Sequence, residues 1–207
     1  DFDAIDPEAA AAADYWAYMQ GKLSGDFYSD EYLAQLTAML FEQKVSESPV
    51  FLWAVTMENH TPYTADKFSS YDFPFESDLG DEAVGVLNSV TQGAANCSEA
   101  LGQLVDYLSG REEPVILVFF GDHKPTLGAG NSFYEELGVN VQEGTAEGLY
   151  HLYTTPYLIW ANDAAKAVLG QDFTGTGPTI SPCYLMSVLF DCCGWDGPSW
   201  MQLQRQT

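Results

Sequence analysis

The chain has 207 residues, 46% of them hydrophobic and 18% charged, enough apolar side chain for a packed core and too much for a disordered segment. Seven Lys and Arg stand against thirty Asp and Glu, a formal net charge of −23. So acidic a surface repels nucleic acid and anionic headgroups, which excludes nucleic-acid binding as a main function. The longest clean apolar run, Val115 to Phe120, is far short of the ~18 residues of a membrane span, so no membrane span is expected.

Read in chain order, Glu8 to Gln20 has helical character, with the Ala9 to Ala13 run inside it. Glu31 to Gln43 predicts a second helix, with Asp30 as N-cap and Leu33, Leu36 and Leu40 on one face. Pro49 to Val55 is short, continuously apolar and rich in strand formers, the pattern of a strand buried on both faces. After a loop through Pro62 and Pro74, Asp81 to Leu108 reads as helix, interrupted near Gly93. Its last part is expected to start at Ser98 as a cap and to bury Leu101, Leu104, Val105 and Leu108. Pro114 to Phe120 predicts a second apolar strand and Pro156 to Trp160 a third. Ser181 to Cys193 has helix length and ends at Gly194, a natural C-cap.

Helices alternating with buried strands predict an α/β fold, a three-layer α/β/α sandwich with a mainly parallel sheet, as one partial domain over residues 1–207. So few strands make a thin sheet, so the domain is expected to be truncated on its N-terminal side. Asp1-Phe2-Asp3-Ala4 has neither an initiator Met nor a signal peptide, so any targeting or anchoring segment is expected upstream. A strand left unpaired by truncation would favour weak homo-oligomerisation. Cys97, Cys183, Cys192 and Cys193 fit neither a disulfide framework nor a zinc pattern; the Cys192-Cys193 pair reads as buried thiols.

Ligands of open α/β sheets bind outside the carboxyl ends of the strands, so the residues after each apolar run come first. The first run leads into Glu58-Asn59-His60-Thr61-Pro62-Tyr63 and the second into Gly121-Asp122-His123-Lys124-Pro125. In a parallel sheet both segments would emerge on one edge, which predicts that His60 converges with Asp122 and His123. A carboxylate beside an imidazole suits Zn²⁺ or Mn²⁺ better than Ca²⁺, and Gly121 permits the break from strand geometry that lets neighbours share an ion. The same residues also fit a turn cap and an exposed histidine, and two ligands fall short of the three a catalytic metal normally takes from protein. His60 has the chemistry to hold a phosphate or sulfate oxygen, to act as acid or base, or to tie its own loop by hydrogen bonds. Lys124 has the charge to bind phosphate, or is an exposed solubilising lysine. His151 reads as structural, and Trp195 and Trp200 as packing residues rather than a sugar platform.

Taken together, the order of ENHTPY, an amphipathic helix, FFGDHKP, TTPYLIW and a terminal apolar helix resembles the sulfatase-like catalytic domain of the lipoteichoic acid synthase family, within the alkaline phosphatase superfamily. The similarity runs from about Asp26 to Trp195. The resemblance implies an enzyme on the extracellular face of a bacterial membrane that moves phosphoglycerol from phosphatidylglycerol onto a growing glycerol-phosphate polymer. It implies that Asp122 and His123 are ligands of one divalent ion, most commonly Mn²⁺, and that His60 contacts the substrate phosphate or glycerol. It also places the nucleophilic threonine and a further acidic ligand upstream of these residues, so the isolated chain is expected to lack catalysis. The alternatives are another sulfatase, phosphodiesterase or phosphoethanolamine transferase of the superfamily, or a non-catalytic acidic sugar-binding module.

Overall fold

A computed structural model describes residues 21–43 and 48–204; the expected helix at Glu8 to Gln20 lies outside them. The chain forms two compact units, Asp1–Tyr107 with His123–Thr154, and Leu108–Asp122 with Thr155–Thr207. The chain thus passes from one unit to the other after Tyr107, after Asp122 and after Thr154.

The first unit opens with β1 (Leu23–Ser24) and β2 (Phe27–Tyr28), an antiparallel pair. Gly25 turns it at φ +63, and a Cβ there would lie 2.8 Å from the Lys67 carbonyl oxygen, so both conformation and space demand glycine. Helix α1 (Asp30–Glu42) is capped by Ser29, whose Oγ accepts from the Tyr32 N–H at 3.1 Å. Asp30, the expected cap, is instead the first helical residue and is buried. The buried stripe of α1 is Asp30, Ala34 and Ala38 at four-residue spacing, while Leu40 faces solvent. Small side chains allow the closer approach: the Tyr107 hydroxyl reaches the Ala38 carbonyl at 3.4 Å.

Pro49 to Val55 forms no ladder among the described residues, and Phe51, Trp53 and Val55 are 80%, 67% and 59% exposed. The expected strand is therefore absent there: an apolar run becomes a buried strand only with a partner on its edge and a layer on its faces. Helix α2 (Asp81–Ser109) is unbroken over 29 residues. Gly93 does not interrupt it and Ser98 lies inside it rather than capping it. Of the expected stripe Leu104 and Leu108 are buried, joined by Ala100. The core of this unit is Ala83, Val86 and Leu87 of α2 with Leu127 and Phe133, and Tyr63, Phe75, Leu79, Val90 and Tyr134 pack around it. Phe133 lies in α3 (Ser132–Glu136), and α4 (Ala146–Tyr153) starts where the Thr145 hydroxyl accepts from Gly148 N–H at 3.0 Å.

The second unit contains β3 (Ile116–Phe120) and β4 (Tyr157–Ala161), both close to the expected runs. They pair antiparallel, from Ile116 against Ala161 to Phe120 against Tyr157. The mainly parallel, three-layer sheet is therefore not what the described residues form; they show helices with two small antiparallel sheets. Parallel pairing requires a crossover returning the chain to the starting end of its neighbour, whereas β4 runs back alongside β3. Asn162 ties this unit together. Its Oδ1 accepts from the N–H groups of Val115 and Ala165 at 3.0 and 2.9 Å, and its Nδ2 faces the carbonyls of Leu108, Arg111 and Glu113. That one side chain caps α5 (Asp163–Leu169) and fixes the entry to β3. A turn at Pro182–Tyr184 leads into α6 (Leu185–Cys193), which ends at Gly194 with φ +69 as expected, and α7 (Ser199–Gln204) follows. Cys193 is buried, and Trp195 stacks edge-on against Phe190 at 5.2 Å. No helix of the described residues is long and apolar enough to cross a membrane.

Candidate functional site

His60 sits in a turn whose main chain is tied on both sides. Its N–H donates to the Met57 carbonyl at 2.9 Å, and its own carbonyl accepts from Lys67 Nζ at 2.9 Å. A cis peptide joins Thr61 to Pro62. The ring is exposed, lies edge-on to Phe27 at 5.7 Å, and its Nδ1 is 2.7 Å from the Thr61 carbonyl. A carbonyl only accepts, so Nδ1 carries the proton and, in the neutral ring, Nε2 keeps the lone pair. Lys67 lies over the rings of Tyr63, Phe27 and Phe68 at 5.0, 5.4 and 5.8 Å. Burial lowers the proton affinity of its amine, against the opposing pull of Asp26 and Glu58.

Beneath this turn lies a polar cluster that sequence reasoning missed. Glu58 is 1% exposed and accepts from Ser24 Oγ at 2.7 Å, from Asp30 N–H at 2.6 Å and from Asn96 Nδ2 at 2.6 Å. Asn59 donates to the Gly93 carbonyl at 3.0 Å, and the Tyr63 hydroxyl donates back to Asn59. A Cβ on Gly93 would lie 1.9 Å from Asn59 Oδ1, which explains a glycine in mid-helix. Burial, then the Glu58 charge, raises the Asp30 carboxyl above its ordinary range. Burial also pushes the Tyr63 hydroxyl and the Cys97 thiol up to about 12, so both stay protonated at neutral pH and Cys97 is no nucleophile. The only sequence signal for this cluster is that Glu58 and Asn59 precede His60 without a gap; nothing local announces their burial.

Asp122, His123 and Lys124 follow β3. The pairing runs one residue past the strand, with Gly121 N–H donating to Pro156 and Thr155 Oγ1 to Gly121. Asp122 and His123 are exposed. His123 Nδ1 lies 3.1 Å from the Lys124 carbonyl, which only accepts, so Nδ1 carries the proton. Lys124 Nζ donates to the His151 carbonyl, bracing its loop against the last turn of α4. His151 Nδ1 in turn donates to the Asn140 carbonyl at 2.8 Å, the structural role expected of it.

The donor chemistry of Asp122 and His123 suits a divalent ion. No group of three or more His, Cys, Asp or Glu among the described residues is arranged to hold one, so the pair is not a complete metal centre there. What the first unit does join is the footing of the two histidine loops. Tyr63, three residues after His60, packs on the core that contains Leu127 and Phe133, and Tyr134 of the same core donates to the Pro125 carbonyl at 2.9 Å, two residues after His123.

No solved structure matches the chain. Over 180 residues, 84% of the chain, it is 29% identical to a Rhizobium meliloti (strain 1021) protein named "Putative cyclic beta-1,2-glucan modification protein". Over 101 residues, 46% of the chain, it is 28% identical to an "Uncharacterized protein" of Haemophilus influenzae. These matches span 26% and 18% of the two relatives, so the chain corresponds to a minor part of either. The Sulfatase family profile matches residues 2–194, nearly the whole sequence, and the chain belongs to the Sulfatase family of the alkaline phosphatase-like superfamily, with an α/β fold.

Proposed function

We propose that the chain supplies substrate-facing loops to a transferase that moves a phosphoglycerol group from phosphatidylglycerol to an acceptor hydroxyl, outside a bacterial cell. In the net reaction a phosphorus–oxygen bond to the acceptor forms, the bond to diacylglycerol breaks, and the acceptor proton ends on diacylglycerol. With a proton on Nδ1, the His60 ring can take a second proton at Nε2 and then donate it to a phosphoryl oxygen. Lys67 and Lys124, two of only seven basic residues, stand in the histidine loops and offset part of the acidic surface toward an anionic donor.

The observation that carries this reading is the common footing of the His60 and His123 loops on one core. The name of the Rhizobium meliloti relative supports a glycan as acceptor, beside the glycerol-phosphate polymer that the sequence resemblance implies. The protein, expressed from its complete reading frame, is incubated with fluorescent phosphatidylglycerol and with either a cyclic glucan or a glycerol-phosphate oligomer. Release of labelled diacylglycerol with a gain of one phosphoglycerol on the acceptor, lowered about a hundredfold by His60→Ala, is the expected result. Hydrolysis of a sulfate ester with no phosphoglycerol transfer would replace this reading with a sulfatase.

A further inference from the structure

Glu58 is the buried charge that the proposed reaction leaves without a role. Burying an ionised carboxylate is costly unless its oxygens are fully hydrogen-bonded, and replacing such a group by apolar side chains is often neutral or stabilising. Here Ser24, the Asp30 main chain and Asn96 supply three short donors from β1, the start of α1 and the middle of α2. The cost extends to the neighbouring Asp30, which is 3% exposed and whose Oδ1 is buried without a hydrogen-bond partner. Such expense lies directly beneath one turn: Met57 closes a hydrogen bond on His60, Asn59 is pinned to Gly93, and Lys67 holds the His60 carbonyl.

We propose that Glu58 is a positioning residue for His60: its carboxylate locks residues 57–60 onto β1, α1 and α2, holding the His60 ring in the single tautomer with the proton on Nδ1 and the lone pair on Nε2. Rigidity explains why a charge is used. Three donors converging on a carboxylate define both its position and its plane, whereas apolar packing leaves a turn free to slide. The inference rests on the reading of His60 as the residue that meets the substrate phosphate, but its test does not depend on turnover.

Ring ¹⁵N shifts of His60, His123 and His151 are compared at a pH where the rings are neutral, in the wild-type chain and in Glu58→Gln, Ser24→Ala and Asn96→Ala. Glu58→Gln forces an amide N–H against one of the three donors; the two alanine variants each remove one donor and leave the core filled. The wild type is expected to show one His60 tautomer. Each variant is expected to move His60 toward tautomer-averaged shifts or to split its signal, with His151 unchanged. Unchanged His60 shifts in all three variants, or equal changes at His151, would overturn the proposal. If His60 responds but the protein expressed from its complete reading frame shows no phosphoglycerol transfer, the clamp stands and the transferase reading falls; normal transfer with an unresponsive His60 gives the reverse.

Discussion

Asp30 shows how one buried side chain sets a pH dependence. Its carboxyl binds its proton more tightly in the folded chain than in the unfolded one, because burial and the Glu58 charge oppose ionisation. The folded state is therefore favoured at low pH, and that advantage is lost as pH rises from about 4, where an unfolded aspartate ionises, through the higher folded-state value. Asp30→Asn removes the titration. It is expected to raise the melting temperature at pH 7 relative to wild type, with the gap closing as the pH falls to about 4; a constant gap across that range would show that the charge is not the cause. Gly93→Ala tests the opposite contact. Alanine gains about 1 kcal/mol of helix propensity over glycine, yet its Cβ displaces Asn59. A net loss of about 1–2 kcal/mol in urea unfolding is expected, since the Asn59 hydrogen bonds are broken inside the cluster. Neither residue was legible as a structural determinant in the sequence: Asp30 resembled a helix cap and Gly93 a helix break, because both readings use local pattern and both residues answer to Glu58 and Asn59, about thirty positions away.

At the scale of elements, apolar runs and helix stops were readable and pairing was not. Ile116–Phe120, Tyr157–Ala161 and the Gly194 stop follow from composition and turn chemistry that act within a few residues. The direction in which β4 meets β3 is fixed by the path of the chain between them, which no local pattern encodes. Asn162 is the clearest test of how that pairing is secured. Asn162→Ala leaves the Val115 and Ala165 N–H groups and three carbonyls without their shared partner. A loss of about 2–4 kcal/mol is expected from denaturant titration, with a smaller loss for Asn162→Asp, which keeps the acceptor but not the donors. The exposed apolar segment at Pro49 to Val55 gives a further expectation: the mass measured by sedimentation rises with protein concentration, and Phe51→Lys suppresses the rise.

At the scale of the whole molecule, the order of motifs led to the sulfatase family and the alkaline phosphatase-like superfamily but not to a lipoteichoic acid synthase within them, while the structure adds how the His60 loop is held. ENHTPY reads as one motif because its residues act as one part: Glu58 and Asn59 anchor, His60 is presented, Tyr63 seats the loop on the core. Asp122 and His123 stand directly after an apolar strand, as the sequence pattern requires, but a metal centre needs donors from several segments and is not legible from one. In the proposed reaction the His60 and His123 loops, resting on one core, act on one phosphoryl group. The direct measurement is kcat/KM for diacylglycerol release from phosphatidylglycerol by the protein expressed from its complete reading frame, as wild type, His60→Ala, His123→Ala and the double variant. Two groups serving one transition state lose their effects jointly, so the double variant should fall no more than about tenfold below the weaker single variant. Losses that multiply fully, or a His60→Ala variant as fast as wild type, would contradict it.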